Sequence, residues 1–150
     1  MLKSRFPISA VFAITLVKEG FVLIHEANTR PPILWKNVGG RLEKPTEDED
    51  EVEIELEGMT REFKEETKRV LPRVKFQEFT VVDVERGKYS ILFYVVDIQE
   101  ISISELQKGD EVEEMKAVSK KQLQEMISTN QIVENHAKAF LKYLEATEEE

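Results

Sequence analysis

The segment Arg61-Glu62-Phe63-Lys64-Glu65-Glu66-Thr67 constrains the chain more than any other. An α-helix turns by about 100° per residue, so Glu62, Glu65 and Glu66, spaced by three and four, project from one side of a helix. Met59, Phe63, Thr67 and Val70 form an adjoining stripe that suits a core. Arg61 lies beside Glu65 at the edge of the acidic face. Like charges at this spacing repel, and carboxylate oxygens suit a hard divalent cation such as magnesium or manganese. Acidic residues also fill 30 of the 150 positions. Taken alone, the same face fits a solvated surface at least as well, and the rest of the chain has to decide.

The length fits one domain, 1–150, with enough chain to bury a real core. The formal net charge of −9 leaves no basic footprint for a nucleic-acid polymer. Phosphate chemistry is compatible with that charge only where metal ions neutralise the site locally. The chain has no cysteine, which excludes disulfides, thiolate chemistry and cysteine-based zinc sites. His25 and His136 are isolated and read as strand-end and packing residues. The apolar run Ile8 to Val17 is too short to span a bilayer. No export signal or membrane segment is visible, so the cytoplasm is the expected compartment.

Val11 to Val17 and Phe21 to His25 read as strands joined by the turn Lys18-Glu19-Gly20. A loop carrying Pro31-Pro32 leads through Ile33-Leu34-Trp35 to Gly39-Gly40, where paired glycines mark unusual dihedrals or a close approach. Thr46 to Glu57 is strongly acidic. Its second half alternates Val52, Ile54 and Leu56 with glutamates, which suits a short strand or the run-in to a helix. The helix is expected from about Leu56 or Gly58 to about Arg69, closed by Pro72. Val74 to Val84, interrupted near Gln77-Glu78, and Tyr89 to Ile98 form a second hairpin around Arg86-Gly87-Lys88. A strand falls late in Glu111 to Val118. Ser119 caps a helix through Met126, and a last helix runs from about Ile132 to Leu144, with a frayed acidic tail from Glu145. This order predicts an α+β fold, a mixed and antiparallel sheet flanked by helices. Regular βαβ alternation is missing.

Gly39-Gly40 and Arg61 to Thr67 together resemble the Nudix hydrolase family, in its MutT-like form. Gly40 matches the opening glycine of the family's box, and Arg61, Glu62, Phe63, Glu65 and Glu66 match its closing signature in register. Glu43 resembles an acidic residue just after the opening, and Trp35 the aromatic before the glycines. Two departures stand out. The stretch from Gly40 to Arg61 is longer than in the usual box, with the extra residues within or near Thr46–Glu57. The glycine expected after Thr67 is Lys68.

The resemblance implies a Nudix-like α/β/α sandwich and a metal-dependent hydrolase acting on a phosphoanhydride. It assigns Glu62, Glu65 and Glu66 as ligands of Mg2+, with Mn2+ as the alternative and the Gly40 carbonyl as a further ligand. Arg61 is expected to orient a glutamate, and Glu65, Glu111 or Glu114 to act as general base, with Asp110 also a candidate. Trp35, Asn37 and Gly39 are expected at the substrate. The first-choice substrate is a nucleoside triphosphate, 8-oxo-dGTP among them, cleaved to monophosphate and pyrophosphate. ADP-ribose or a dinucleotide is the nearest rival, and a non-catalytic module binding a nucleotide or protein is a third reading. The expected partner is a small nucleotide, not a nucleic-acid polymer or a membrane. A homodimer suits the family, but nothing in the sequence fixes one.

Overall fold

A computed structural model describes residues 2–27, 30–43 and 51–148. Its strands are β1 (Ile8–Val17), β2 (Gly20–Glu26), β3 (Val38–Arg41), β4 (Phe76–Val84), β5 (Tyr89–Asp97) and β6 (Val112–Val118). Its helices are α1 (Glu51–Thr67), α2 (Lys120–Ser128) and α3 (Glu134–Glu148). The strands make one mixed sheet in the order β4-β5-β1-β2-β6, with β3 also paired to β1. β1 runs parallel to β5, from Ile8 beside Ser90 to Leu16 beside Asp97, while its other edge is shared. Phe21 and Gly20 of β2 take its C-terminal end, and β3 takes the stretch from Ala10 to Ala13.

The period-two alternation of the strands divides the core into two layers. Ala10, Phe12 and Ile14 of β1 face one way with Leu23, Phe93, Leu123 of α2 and Phe140 of α3. Val11, Ala13 and Val17 face the other way with Val22, Leu92 and Val96, against Met59 and Phe63 of α1. The sheet therefore lies between α1 on one side and α2 and α3 on the other. This is the α+β arrangement that the element order predicts and the α/β/α sandwich that the resemblance implies.

Several boundaries differ from expectation. α1 starts at Glu51 rather than Leu56 or Gly58 and stops at Thr67 rather than Arg69. Leu56, Met59 and Phe63 are spaced by three and four, so Leu56 continues the helical stripe, and the alternation around Ile54 belongs to the helix. Thr46 to Asp50 lie outside the described residues. Val70, placed on the apolar stripe by its spacing, is past the helix end and 72% exposed. The interruption expected near Gln77-Glu78 is a register shift between Glu78 and Thr80 against β5. Ser119 caps α2 through a reciprocal box with Gln122. α3 begins at Glu134 and continues to Glu148, through the segment expected to fray. Among the described residues, no helix is long and apolar enough to cross a membrane.

Candidate active site

The acidic face of α1 is set against β3, and the paired glycines explain how closely. Gly39 has φ of 147°, and a Cβ there would lie 2.2 Å from the carbonyl oxygen of Val11. Only glycine accepts both conditions. Its N–H donates to Glu66 Oε1 at 2.7 Å. A Cβ on Gly40 would lie 2.7 Å from the carboxyl group of Glu62. The β3 backbone thus lies flush against two of the three glutamates.

Arg61 holds the same face together. Its Nη1 donates to Glu62 Oε1 at 3.0 Å and to both oxygens of Glu65 at 3.4 Å, and it stands 3.5 Å from Glu43. Its Nη2 donates to the carbonyl of Arg41 at 3.3 Å, tying the helix to the end of β3. Glu66 is 6% exposed. Burial pushes its carboxyl up to about 8, against the Gly39 N–H and the charge of Lys36, with Glu62 and Glu26 adding repulsion. Glu62 is also raised, first by burial, with Arg61 opposing and Glu65 and Glu111 reinforcing.

The last carbonyls of a helix need donors from outside it. Here a later loop supplies them. Gln107 N–H donates to Thr67 O and Gly109 N–H to Glu66 O, each at 3.0 Å. The approach is so close that a Cβ on Gly109 would lie 1.9 Å from the carbonyl oxygen of Glu65. This clamp places Asp110 and Glu111 beside Glu43, Glu65, Glu66 and Lys68, around a hollow of about 420 Å³. Lys68, at the position where the family has glycine, has φ of 59°. It adopts the left-handed conformation that commonly ends a helix and that glycine takes without strain.

A second hollow, about 720 Å³, opens beside β1 and β3. Phe12, Tyr89, Ile91 and His136 line it together with Lys36 and Arg41. His136 stands edge-on to Phe12, ring centres 4.4 Å apart. Its Nδ1 accepts the Asn37 backbone N–H at 3.1 Å. Burial, then the charge of Lys36, lowers its pKa to about 3. The ring is therefore neutral, with its Nδ1 unprotonated.

The family model for the NUDIX domain matches residues 6–142. The chain belongs to the Nudix family. A MutT protein from Methanosarcina mazei Go1 superposes with a TM-score of 0.66 at 21% identity, over 97% of this chain and 99% of that one. A bifunctional NMN adenylyltransferase/ADP ribose pyrophosphatase from Francisella tularensis, complexed with AMP and a Mn ion, gives 0.70 at 20%, over 94% of this chain and 42% of that one. An Ap4A hydrolase from C. elegans gives 0.60 at 18%, over 91% and 98%. At these identities the likeness is one of fold. No curated protein matches the chain.

The Nudix helix offers the oxygen donors a hard cation takes. Among the described residues, no three acidic or histidine side chains form a ready metal cage, and Arg61 engages oxygens of both Glu62 and Glu65. Two neighbouring glutamates raised by burial and by repulsion from nearby carboxylates are nevertheless what a divalent cation would relieve. The donor set fits such an ion.

The structure brings together Arg61, Glu62, Glu65, Glu66, Gly39, Gly40, Asp110 and Glu111. It places three expected residues elsewhere. Glu114 pairs across strands with His25, Oε1 to Nε2 at 3.2 Å, and is 62% exposed. It does not line the acidic hollow, because the turn after Glu111 carries β6 along β2. Trp35 is 9% exposed, edge-on to His25 beneath the Lys116 ammonium. Asn37 is fully buried against His136, and its Oδ1 finds no hydrogen-bond partner among the described residues. Trp35 and Asn37 support the cleft wall and do not line it. The lining residues Lys36, Arg41 and Tyr89 escaped the sequence reading. The signal for the first two lay in their positions flanking the glycine pair, while Tyr89 comes from a distant hairpin.

Proposed function

We propose that this Nudix protein hydrolyses a phosphoanhydride bond in a compound built on a nucleoside diphosphate. The observation that carries this reading is the junction of the α1 acidic face with the Gly39-Gly40 backbone, closed by the loop bearing Glu111. Glu62, Glu65 and Glu66, with the carbonyl of Gly40, would hold Mg2+, or Mn2+ in its place. The bound ion would neutralise phosphate oxygens and lower the pKa of a water. Arg61 fixes the carboxylates of Glu62 and Glu65 by charge-assisted hydrogen bonds. Among the later acids, Glu111 faces the helix and is the better-placed base to accept a proton from water, with Glu65 the candidate on α1. The cleft beside β3 would take the nucleoside, its ring against Phe12 or Tyr89.

A nucleoside triphosphate, cleaved to monophosphate and pyrophosphate, remains the first substrate. ADP-ribose and dinucleoside polyphosphates are the second reading. Two observations favour it: the solved relatives described as acting on ADP-ribose or Ap4A, and the second cation, Arg41, in the cleft. A chromatographic screen for nucleotide products with magnesium or manganese over nucleoside triphosphates, 8-oxo-dGTP, ADP-ribose and diadenosine tetraphosphate tests both. Turnover of one class, abolished in Glu65→Gln and Glu66→Gln, supports the hydrolase and names its substrate. No turnover across the panel sinks the hydrolase reading and leaves a nucleotide-binding module. Turnover surviving both substitutions refutes the assignment of the site.

A further inference from the structure

Lys36 stands between the two hollows. It immediately precedes the buried Asn37 and forms a β-bridge with Ile24. Its side chain is only 18% exposed, so its aliphatic stem is buried and its ammonium is held in place. The ammonium lies 5.6 Å from the centre of the Phe12 ring, inside the cleft. Its charge is felt on one side by His136 in the cleft wall and on the other by Glu66 on the acidic helix face. In a chain of net charge −9, the described lining of this cleft carries Lys36 and Arg41 and no carboxylate. Its charge suits an anion next to an aromatic wall.

The ammonium is paired with Glu26, which is an exchangeable partner. The Glu26 side chain is half exposed, so water can solvate its carboxylate when the ammonium turns to another anion. A phosphate oxygen offers a charge-assisted bond of the stronger kind.

We propose that Lys36 contacts the phosphoryl group linking the nucleoside in the cleft to the rest of the substrate on the acidic helix, exchanging Glu26 for it. This rests on the nucleotide reading above and adds a residue outside the family's box. Lys36 thereby discriminates phosphorylated from unphosphorylated nucleosides.

The test is calorimetric binding of AMP, GMP, CMP and UMP, and of the four parent nucleosides, to the full chain with magnesium present. The wild-type chain is expected to bind at least one monophosphate more tightly than its nucleoside. Lys36→Met keeps the packing on Phe12 and removes the charge. It should weaken that monophosphate by about tenfold or more and change the nucleoside by less than about twofold. Lys36→Arg should recover most of the loss. Equal weakening of both ligands, unchanged monophosphate binding in Lys36→Met, or no monophosphate preference in the wild type overturns the proposal. Hydrolysis is scored separately. A chain that turns over nothing but shows the expected binding pattern loses the hydrolase reading and keeps Lys36 as the phosphate contact.

Discussion

The two hollows beside β3 are built by opposite means. The acidic one has a local half: Glu65, Glu66 and Lys68 come from the end of one helix, and Glu43, Asp110 and Glu111 arrive from elsewhere. The aromatic one is assembled from β1, the approach to β3, the turn before β5 and the start of α3. A helix fixes the spacing of its side chains by its own geometry, while a cleft of scattered segments depends on the whole sheet being correct. In the function proposed above, chemistry resides in the first hollow and substrate selection in the second, with β3 as the shared wall.

The sharpest way to break that division is Glu65→Gln, which removes one charge from the helix face. Loss of an outer partner of a metal ligand typically costs about 10–100-fold, so loss of a ligand should cost turnover more than about 100-fold. The melting temperature should stay close to wild type, because Glu65 is exposed. Steady-state kinetics beside a thermal melt checks both, and a large fall in stability would show that the face is structural instead.

Next in size is Gly109→Ala. The added Cβ would meet the Glu65 carbonyl, and overpacking of this kind costs about 1–3 kcal/mol. It should also lift Asp110 and Glu111 off the helix end. Turnover is expected to fall with KM little changed if Glu111 serves the reaction and not nucleoside binding. Denaturant unfolding and kinetics on the same variant separate the two effects.

The aromatic hollow responds to pH through His136. Its folded pKa of about 3 is below the ordinary 6.5, so the unfolded chain binds the extra proton first. The stability this ring contributes is complete above about pH 6.5 and is lost as the pH falls towards 3, at a slope of up to about 1.4 kcal/mol per pH unit. Protonation would place a donor against the Asn37 N–H. The stability difference between wild type and His136→Gln should therefore shrink as the pH is lowered, measured by urea unfolding between pH 7 and pH 5. A constant difference would mean that the ring is not held neutral.

The smallest effect is expected at Lys68→Gly. A residue with a side chain pays about 1–2 kcal/mol for the left-handed conformation, so glycine should stabilise the chain by about 1 kcal/mol. Unchanged turnover would confine Lys68 to ending the helix. A fall in turnover would give its charge a part in the acidic hollow.

This contrast also governs what could be read from the sequence. Periodicity exposes the second half of α1 and the succession of strands along the chain, and Ser119 marks the start of its helix, because each is encoded within a few residues. Gly39 and Gly40 announce a close approach, although not that Glu62 and Glu66 are what approaches. Nothing near Gly109 in the chain announces its clamp on Glu65 and Glu66, which joins segments far apart. Trp35 and Asn37 attract attention as residue types suited to a base pocket, but both are buried, and Lys36 between them lines the cleft. Val70 keeps helical spacing where Lys68 has already ended the helix.

β1 has a consequence for how the molecule comes into being. Its neighbours in the sheet are β2 and β3, which follow soon after it, and β5, whose Ser90 to Asp97 lie beside Ile8 to Leu16. Contacts between distant parts of a chain are slow to form, because loop closure must be paid before they reward it. β1 is made before β5 and is thus fully paired only once β5 has followed it. Ala10 and Phe12 line the cleft, and Val11 lies behind the glycine wall of the acidic face. Both hollows therefore wait on the docking of β5, and a nascent chain lacking it has neither.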